Sequence, residues 1–387
     1  MSDDFVEYSE QGWFSRIADS IKGIIIGLGM FLVAFPLLFW NECRAVDRAE
    51  ALEAGRGAVV SVASDKIDSG NEGKLVHTSG MVKVDETLTD SEFGVTVNGL
   101  ALKREVEMYQ WVEKSKKEKK KKVGGKETTA TTYTYSRDWS SSLNNSDNFK
   151  DPDARKQKVN PGAMPYEAKT TAAQNATMGA FKLTSSIIGS ISSTTPYPVT
   201  QEVFDKLPPA IKSKAKLNGD SIYIGTDPAN PTVGDTRISF AVAKPGEITV
   251  VSGQSGSTFS AFKVKTGTIE LVSSGKKTSD EMFTAAEEGN ATMTWILRLV
   301  GFMLMFIGLG MIFKPLSVIA DLIPFVGSII GTMSSVVAFL IAAPLTFITI
   351  AVAWIVARPL IGILMLLLAG GFIGGLVFLI IKARSKD

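Results

Sequence analysis

The stretch GIIIGLGMFLVAFPLLFW, residues 23–40, decides the fold because it carries no charge over its whole length. A helix of about 20 largely apolar residues crosses a hydrocarbon core of about 30 Å. A cleaved signal peptide would start with basic residues and end in small ones, whereas Asp3 and Asp4 precede this stretch and Asn41 and Glu42 follow it. The stretch therefore predicts a retained transmembrane helix.

Three further spans are predicted at the C-terminal end, at residues 293–313, 335–357 and 360–381. Arg358 and Pro359 separate the last two spans, because proline fits the first turn of a helix and disfavours helix in the residue before it.

Residues 314–334 lie between two of these spans and combine Lys314, Asp321 and Pro324 with several large apolar side chains. A short segment of this kind suits the membrane interface better than the membrane core. We therefore predict an amphipathic segment that lies in the interface or re-enters it.

Four spans place both ends of the chain on one side of the membrane. The short tail, residues 382–387, is basic, and positive charge near span ends favours the cytosolic face. Residues 1–22 are then cytosolic as well, and residues 41–292 form a domain in the periplasm or in an organelle lumen.

The composition limits the chemistry that this chain can perform. A formal net charge of +2 gives no indication of a nucleic-acid partner. One cysteine cannot form an internal disulfide, and zinc sites built from histidine and cysteine need three or four such ligands. His77 is the single histidine and lies in a predicted strand, so we interpret it as structural. We expect no cofactor, no metal site, no catalytic residue and no enzymatic activity.

Residues 41–292 alternate short β-branched runs with Gly, Asn and Asp, which predicts a strand-rich α+β domain. Residues near 149–195 are rich in Asn, Ala, Ser, Thr and Pro and divide the domain into two halves. Helices are predicted at residues 45–58, 185–191 and 200–207. Strands are predicted at residues 58–62, 75–84, 100–113, 221–225, 236–243, 247–251, 260–265 and 268–272.

A long hairpin is predicted around a lysine-rich tract, because the flanking residues 106–113 and 128–139 both have the composition and alternation of strands. The tract can be a solvated loop that its charge keeps soluble. It can also contact anionic lipid or an acidic partner, and the contacting residues would then be Lys117, Lys119, Lys120, Lys121 and Lys122.

Four ionisable residues, Arg298, Lys314, Asp321 and Arg358, lie near the ends of the predicted spans. This position predicts anchoring in the membrane interface, although such groups also line ion paths. An ion-conducting or transporting oligomer is therefore an alternative function.

Pairs of glycines four residues apart allow two membrane helices to approach closely. Such pairs predict a role in helix packing, and with it a homo-oligomer, for Gly327, Gly331, Gly370, Gly371, Gly374 and Gly375.

Short motifs in order along nearly the whole chain resemble the LUMA family of transmembrane proteins. These motifs are NECRAV (41–46), LVH (75–77), FGV (93–95), VEMYQWVE (106–113), YTYSRDW (133–139), NF (148–149), NP (160–161), VGD (233–235) followed by RISF (237–240), RLVG (298–301) and RPL (358–360). The resemblance implies one N-terminal span, a large luminal or periplasmic domain, three C-terminal spans and cytosolic termini. It also implies a protein that self-associates and organises membrane protein complexes without catalysis. The lysine-only hairpin tip and the Thr/Ala/Ser-rich linker depart from the eukaryotic members and favour a bacterial type.

These patterns predict a membrane protein of the α+β class with four transmembrane helices, one N-terminal and three C-terminal, and a large strand-rich extramembrane domain. The predicted function is a non-enzymatic scaffold whose partners are a second copy of itself, membrane lipids and other membrane proteins. A periplasmic module that binds lipid or senses envelope stress is a further alternative. A bacterial inner membrane is favoured, and the endoplasmic reticulum or inner nuclear membrane is expected if the chain is eukaryotic.

Overall fold

The computed structural model describes residues 4–357 and, beyond them, residues 363, 364, 367, 368, 370–372, 374 and 375. The chain divides into two compact units. The strand unit consists of Met1–Val6, Ala54–Lys116 and Thr132–Thr284. The helical unit consists of Glu7–Glu53, Lys117–Thr131 and Ala285–Asp387.

Most of the regular structure outside the long helices is β-strand. The strands are β1 Phe5–Gln11, β2 Val60–Ser61, β3 Leu75–Val84, β4 Leu88–Thr89, β5 Thr96–Val97, β6 Ala101–Lys121, β7 Glu127–Ser140, β8 Lys169–Ala172, β9 Ala176–Met178, β10 Phe181–Lys182, β11 Thr195–Tyr197, β12 Ala215–Asn218, β13 Ser221–Ile224, β14 Thr236–Ala243, β15 Glu247–Ser255, β16 Thr258–Ser260, β17 Phe262–Val264, β18 Gly267–Ile269 and β19 Leu271–Ser274. The helices are α1 Trp13–Ala58, α2 Pro152–Gln157, α3 Ser185–Ile191, α4 Gln201–Asp205, α5 Pro209–Lys212, α6 Ser279–Ala320 and α7 Pro324–Ala357, with 3₁₀ turns at Ser69–Asn71 and Ser146–Asn148.

Two large sheets contain most of these strands. The first has the order β1-β7-β6-β14-β13-β12, with β8 paired to β6 and β11 paired to β14. The second has the order β19-β15-β16-β10-β9-β3-β2, and β15 also pairs with β3. Strand β6 pairs antiparallel with β14 in an unbroken register from Ala101 opposite Ala243 to Met108 opposite Thr236.

Side chains from both sheets form the core of the strand unit. Leu102 and Phe240 come from the first sheet, Val76 and Val250 come from the second, and Phe93 comes from a connecting segment. All five are almost fully buried. Burial of each such side chain stabilises the fold by about 1.5–3 kcal/mol, so this core holds without a disulfide.

The predicted strands at 75–84 and 236–243 and the helix at 185–191 are confirmed with the same bounds. The predicted hairpin is confirmed as β6 and β7, but the lysine tract belongs to the strand and not to a loop. Carboxylates placed opposite its lysines explain this difference, because they offset charge repulsion that would otherwise oppose a regular strand.

Helices α1 and α6 exceed the predicted spans at both ends, and α7 exceeds its predicted span at the start. Residues 23–40 lie inside α1, and residues 293–313 lie inside α6. Residues 314–334 do not form a separate segment, because α6 continues through Pro315 to Ala320 and α7 begins at Pro324. Proline costs one backbone hydrogen bond inside a helix, and neighbouring helices tolerate it there in membrane proteins.

Three helices are long and apolar enough to cross a membrane, namely Trp13–Ala58, Ser279–Ala320 and Pro324–Val356, among the residues that the structure describes. The predicted fourth span, 360–381, lies largely outside the described residues, and the three helices found do not support it.

Candidate functional site: two charge clusters in the helical unit

Helices α1 and α6 pack backbone to backbone at two glycines. A Cβ atom built on Gly27 would lie 2.6 Å from the carbonyl oxygen of Gly308, and one built on Gly308 would lie 2.6 Å from the carbonyl oxygen of Gly27. Only glycine permits this approach, which gains dispersion contacts that lipid tails cannot provide. This pair was not predicted from the sequence, although Gly23 and Gly27 have the four-residue spacing.

The first charge cluster surrounds Glu42, whose side chain is fully buried. Nε and Nη2 of Arg298 donate to the two carboxylate oxygens of Glu42, each over 2.7 Å. The indole Nε1 of Trp354 donates to the same carboxylate. Two parallel hydrogen bonds from a guanidinium give a strong and directional ion pair. One residue each from α1, α6 and α7 therefore meet at one point, which we call the Glu42 cluster.

Further hydrogen bonds extend the Glu42 cluster along α1 and α6. Nδ2 of Asn41 donates to the carbonyl oxygen of Thr294 over 3.1 Å. Nη1 of Arg44 donates to Oδ1 of Asn290 over 3.2 Å, and Nδ2 of Asn290 donates to the carbonyl oxygen of Ala45 over 2.9 Å. These bonds satisfy polar groups that would be costly in an apolar environment.

The second charge cluster surrounds Asp321, whose side chain is also fully buried. Nη2 of Arg16 lies 2.5 Å from Oδ2 of Asp321, and Nζ of Lys121 lies 2.8 Å from Oδ1. Arg16 also lies 3.4 Å from Glu127. In this Asp321 cluster, Arg16 and Lys121 contact Asp321, and Arg16 also contacts Glu127, so the buried carboxylate of Asp321 is neutralised by cations.

The turn between β6 and β7 packs on the turn between α6 and α7. The amide of Gly124 donates to the carbonyl oxygen of Leu322 over 3.0 Å. Nη1 of Arg16 donates to the carbonyl oxygen of Gly125 over 2.6 Å. Gly125 has a φ of +75°, and a Cβ atom there would overlap the indole of Trp13. Glycine is therefore required at position 125 for both conformation and space.

The two clusters lie at opposite ends of the helical unit. From residue 16 to residue 42, α1 rises about 39 Å at 1.5 Å per residue. A bilayer with its headgroup regions is about 40–45 Å thick. Helix α6 passes Arg298 and ends at Ala320, directly before Asp321, and α7 runs from Pro324 past Trp354, so each long helix connects the two clusters.

The residues predicted to anchor the spans have different environments. Arg298 and Asp321 do not face the membrane interface as isolated charges, because both are held in buried ion pairs. Lys314 is exposed, and its role as an interface anchor stays a prediction, while Arg358 lies outside the described residues. The partners Glu42 and Arg16 were missed, because sequence separations of more than 250 residues leave no local pattern.

Of the glycines predicted to pack helices, Gly327 and Gly331 lie close to other residues of the same chain. A Cβ atom on Gly327 would overlap the carboxylate of Asp321, and one on Gly331 would lie 3.5 Å from Cβ of Ser317. This pair therefore serves the approach of α7 to the end of α6. Most residues around Gly370, Gly371, Gly374 and Gly375 lie outside the described ranges, so their packing role stays a prediction.

The five lysines predicted to contact lipid or a partner divide into two groups. Lys119 pairs with Glu127 over 3.1 Å, Lys121 pairs with Asp321, and Lys122 pairs with Glu10 over 3.2 Å. Lys117 and Lys120 are exposed and form no ion pair with a described residue.

Glu10 also pairs with Lys126, and hydrogen bonds from Lys126 and Lys122 lower the pKa of its carboxyl group to about 2. Stabilising a carboxylate by two cations favours its charged form, which is the direction observed.

A cavity of about 270 Å³ lies beside the Glu42 cluster, and its wall is mainly apolar. Trp295, Trp354 and Thr294 line it, together with Ala45 and Val46.

In the strand unit, His77 is held at both ring nitrogens, by Ser61 at 3.1 Å and by the carbonyl oxygen of Lys277 at 2.9 Å. Among the described residues, no group of three or more His, Cys, Asp and Glu side chains could hold a metal ion.

A family profile described as transmembrane protein 43 matches residues 108–359, about two thirds of the chain. The chain belongs to the transmembrane protein 43 family. This result confirms the resemblance to the LUMA family. The matched region of this family member includes β6 from Met108 onward, all of β7, Arg298 and Asp321, and it begins after Arg16 and Glu42.

Curated relatives cover almost the full length of this family member. Transmembrane protein 43 of Homo sapiens is 32% identical over 373 residues, covering 91% of this chain and 88% of the relative. The protein of Rattus norvegicus is 32% identical over 363 residues with the same coverage. The homologue of Drosophila melanogaster is 30% identical over 351 residues, covering 89% of this chain and 91% of the relative. No solved structure matches the chain.

These relatives are animal proteins, and their names describe a transmembrane protein. The family and the three apolar helices show that this chain is an integral membrane protein. The compartment, including the favoured bacterial inner membrane, stays a prediction.

Proposed function

We propose that this member of the transmembrane protein 43 family is a non-enzymatic membrane scaffold that self-associates through α7 and presents its strand unit to other membrane proteins. The supporting observation is an exposed stripe of small hydroxyl residues on α7, formed by Ser328, Thr332 and Ser335.

The hydroxyl stripe is suited to close helix packing. Residues spaced by four and seven positions lie on one face of a helix. The hydroxyl of Ser328 donates to the carbonyl oxygen of Phe325, that of Thr332 donates to Ser328, and that of Ser335 donates to Gly331, all within 2.8–3.0 Å. The stripe thus presents small side chains without unsatisfied polar groups, which is typical of helix interfaces in membranes.

Two helices compete for this stripe. One is α7 of a second copy, and the other is the predicted fourth span at residues 360–381 of the same chain. Crosslinking distinguishes them, because only a second copy produces an intermolecular product.

The arrangement of charges favours a scaffold over the alternative of an ion-conducting oligomer. An ion path needs ionisable groups that ions can reach. Glu42 and Asp321 are both fully buried and neutralised by fixed cations. Their main effect is to join α1, α6 and α7, and a rigid bundle is what a scaffold requires.

The decisive experiment measures stoichiometry by native mass spectrometry in lipid nanodiscs. We expect a discrete oligomer for the unmodified chain and a shift to monomer for the triple variant Ser328→Leu, Thr332→Leu and Ser335→Leu, because leucine prevents close approach. The matched control replaces Val326, Met333 and Val337 by leucine, since these exposed residues lie on the opposite face of α7.

A cysteine at position 332 in a Cys43→Ser background gives the complementary crosslinking test. An intermolecular disulfide supports the second copy as the partner helix. A monomer in nanodiscs together with no intermolecular crosslink would exclude self-association through α7.

A further inference from the structure

We propose that the β6–β7 turn and the α6–α7 turn together form a surface that binds the headgroups of anionic phospholipids. The side chain of Val123 inserts among these headgroups. This surface is independent of the proposed self-association. We call it the tip surface, and it comprises Lys117, Lys120, Val123, Lys314, Leu322, Ile323 and Phe325.

Direct contacts make the two turns a single surface. The hydrogen bond from Gly124 to Leu322 is 3.0 Å long and places Val123 beside the α6–α7 turn. The ion pair between Lys121 and Asp321 fixes the end of β6 to the same turn. The packing of Trp13 against Gly125 holds the turn from its other side.

The tip surface exposes large apolar side chains that water alone would disfavour. The exposed fractions are 86% for Val123, 73% for Phe325, 60% for Ile323 and 47% for Leu322. Contiguous exposed apolar side chains mark an interaction site. The boundary between headgroups and acyl chains accommodates such side chains when basic residues accompany them.

The lysines of the tip surface supply the preference for negative charge. Lys119, Lys121 and Lys122 are already neutralised by carboxylates of the helical unit. Lys117, Lys120 and Lys314 are exposed and form no ion pair with a described residue. Each lysine near an anionic leaflet changes the binding equilibrium by about fivefold. The three unpaired cations therefore select an anionic leaflet over a neutral one.

The test places an environment-sensitive fluorophore at position 123, using Val123→Cys in a Cys43→Ser background. The full-length protein is reconstituted in nanodiscs of phosphatidylglycerol or of phosphatidylcholine, both containing spin-labelled lipid as a quencher. We expect stronger quenching in phosphatidylglycerol, and we expect the difference to disappear at high salt, because salt screens exposed charges.

The double variant Lys117→Gln and Lys120→Gln removes two unpaired charges and leaves every described ion pair of the hairpin intact. We expect it to lower the ratio of inserted to free Val123 in phosphatidylglycerol by up to roughly 25-fold, about fivefold per lysine. The matched control is Lys263→Gln with Lys265→Gln, which removes two exposed lysines of the strand unit and should leave the quenching unchanged.

A second label at Phe325→Cys serves as a depth reference on the helical turn. Quenching at position 325 with none at position 123 would overturn the proposal, because Val123 would then face water. Equal quenching of Val123 in both lipids would also overturn it, because insertion would then be independent of headgroup charge.

Discussion

Asp321 holds two cations in a fully buried position, so its charge matters more than its size. Replacing Asp321 by Asn keeps the shape and leaves Arg16 without its closest carboxylate. Removing one partner of a buried ion pair costs about 3–5 kcal/mol. We expect Asp321→Asn to lower the free energy of unfolding by about 3 kcal/mol, measured by denaturant titration in detergent.

Lys314→Gln is the control for this prediction, because Lys314 is an exposed charge near the same end of α6. Its effect should stay within about 0.5 kcal/mol, as for most surface substitutions. Equal effects of the two substitutions would show that the Asp321 cluster does not stabilise the helical unit.

Glu10 is predicted to titrate far below an ordinary glutamate. Its pKa is lowered from 4.5 to about 2 by Lys126 and Lys122. A lowered pKa in the folded state means that the ion pairs stabilise the protein above pH 4.5 and that this contribution is lost as the pH falls towards 2. NMR titration of ¹³C-labelled glutamate should show this pKa, and Lys126→Gln with Lys122→Gln should return it towards 4.5. An unshifted pKa in the unmodified protein would contradict the ion pairs.

At the scale of elements, the contact between α1 and α6 depends on glycine at position 27. Gly27→Leu should disrupt this contact, because the new side chain would occupy the space of the Gly308 backbone. Overpacking of this kind costs about 1–3 kcal/mol. Thermal unfolding in detergent measures the effect.

Gly29→Leu is the matched control on the same helix, because no described atom outside the local helix lies within 4 Å of the Cβ position of Gly29. We expect an unchanged unfolding temperature for this variant. A comparable loss of stability at both positions would contradict the role of Gly27 in packing, because leucine favours the helix more than glycine does at either position.

Local patterns predicted elements whose periodicity is set by burial, such as β3, β14 and α3. They did not predict how far α1 and α6 continue beyond their apolar parts. The polar end of a helix and a polar loop have similar amino-acid compositions, so the pattern does not show where the helix ends. They identified Arg298 and Asp321 as unusual charges, but the partners of these charges come from distant parts of the chain. Partner identity is a property of the tertiary fold, which one sequence does not encode locally.

At the scale of the whole molecule, the contacts bear on membrane sidedness. Residues 1–22 and the hairpin are predicted from the sequence to lie on opposite sides of the membrane. Glu10 nevertheless forms ion pairs with Lys122 and Lys126. Ion-paired side chains are direct neighbours, so Glu10 and the β6–β7 turn lie on one side of the membrane when these contacts form.

Thiol labelling in sealed vesicles tests this conclusion. Single cysteines introduced as Tyr8→Cys and Ser115→Cys, both at exposed positions, should react with a membrane-impermeant reagent from the same side in a Cys43→Ser background. Labelling from opposite sides would show that the ion pairs of Glu10 do not form in the membrane, and the originally predicted sidedness would stand.

The pairing of β1 with β7 also sets an order of events during biosynthesis. Strand β1 ends at Gln11, whereas β7 ends at Ser140. The ribosome therefore releases the first strand long before its partner exists, and α1 is synthesised in between. Closing a long loop is slow compared with forming a helix, so α1 forms before β1 joins the sheet. Strand β1 thus joins its sheet late in folding. A bulky fusion placed before β1 would hinder this pairing without contacting the membrane helices.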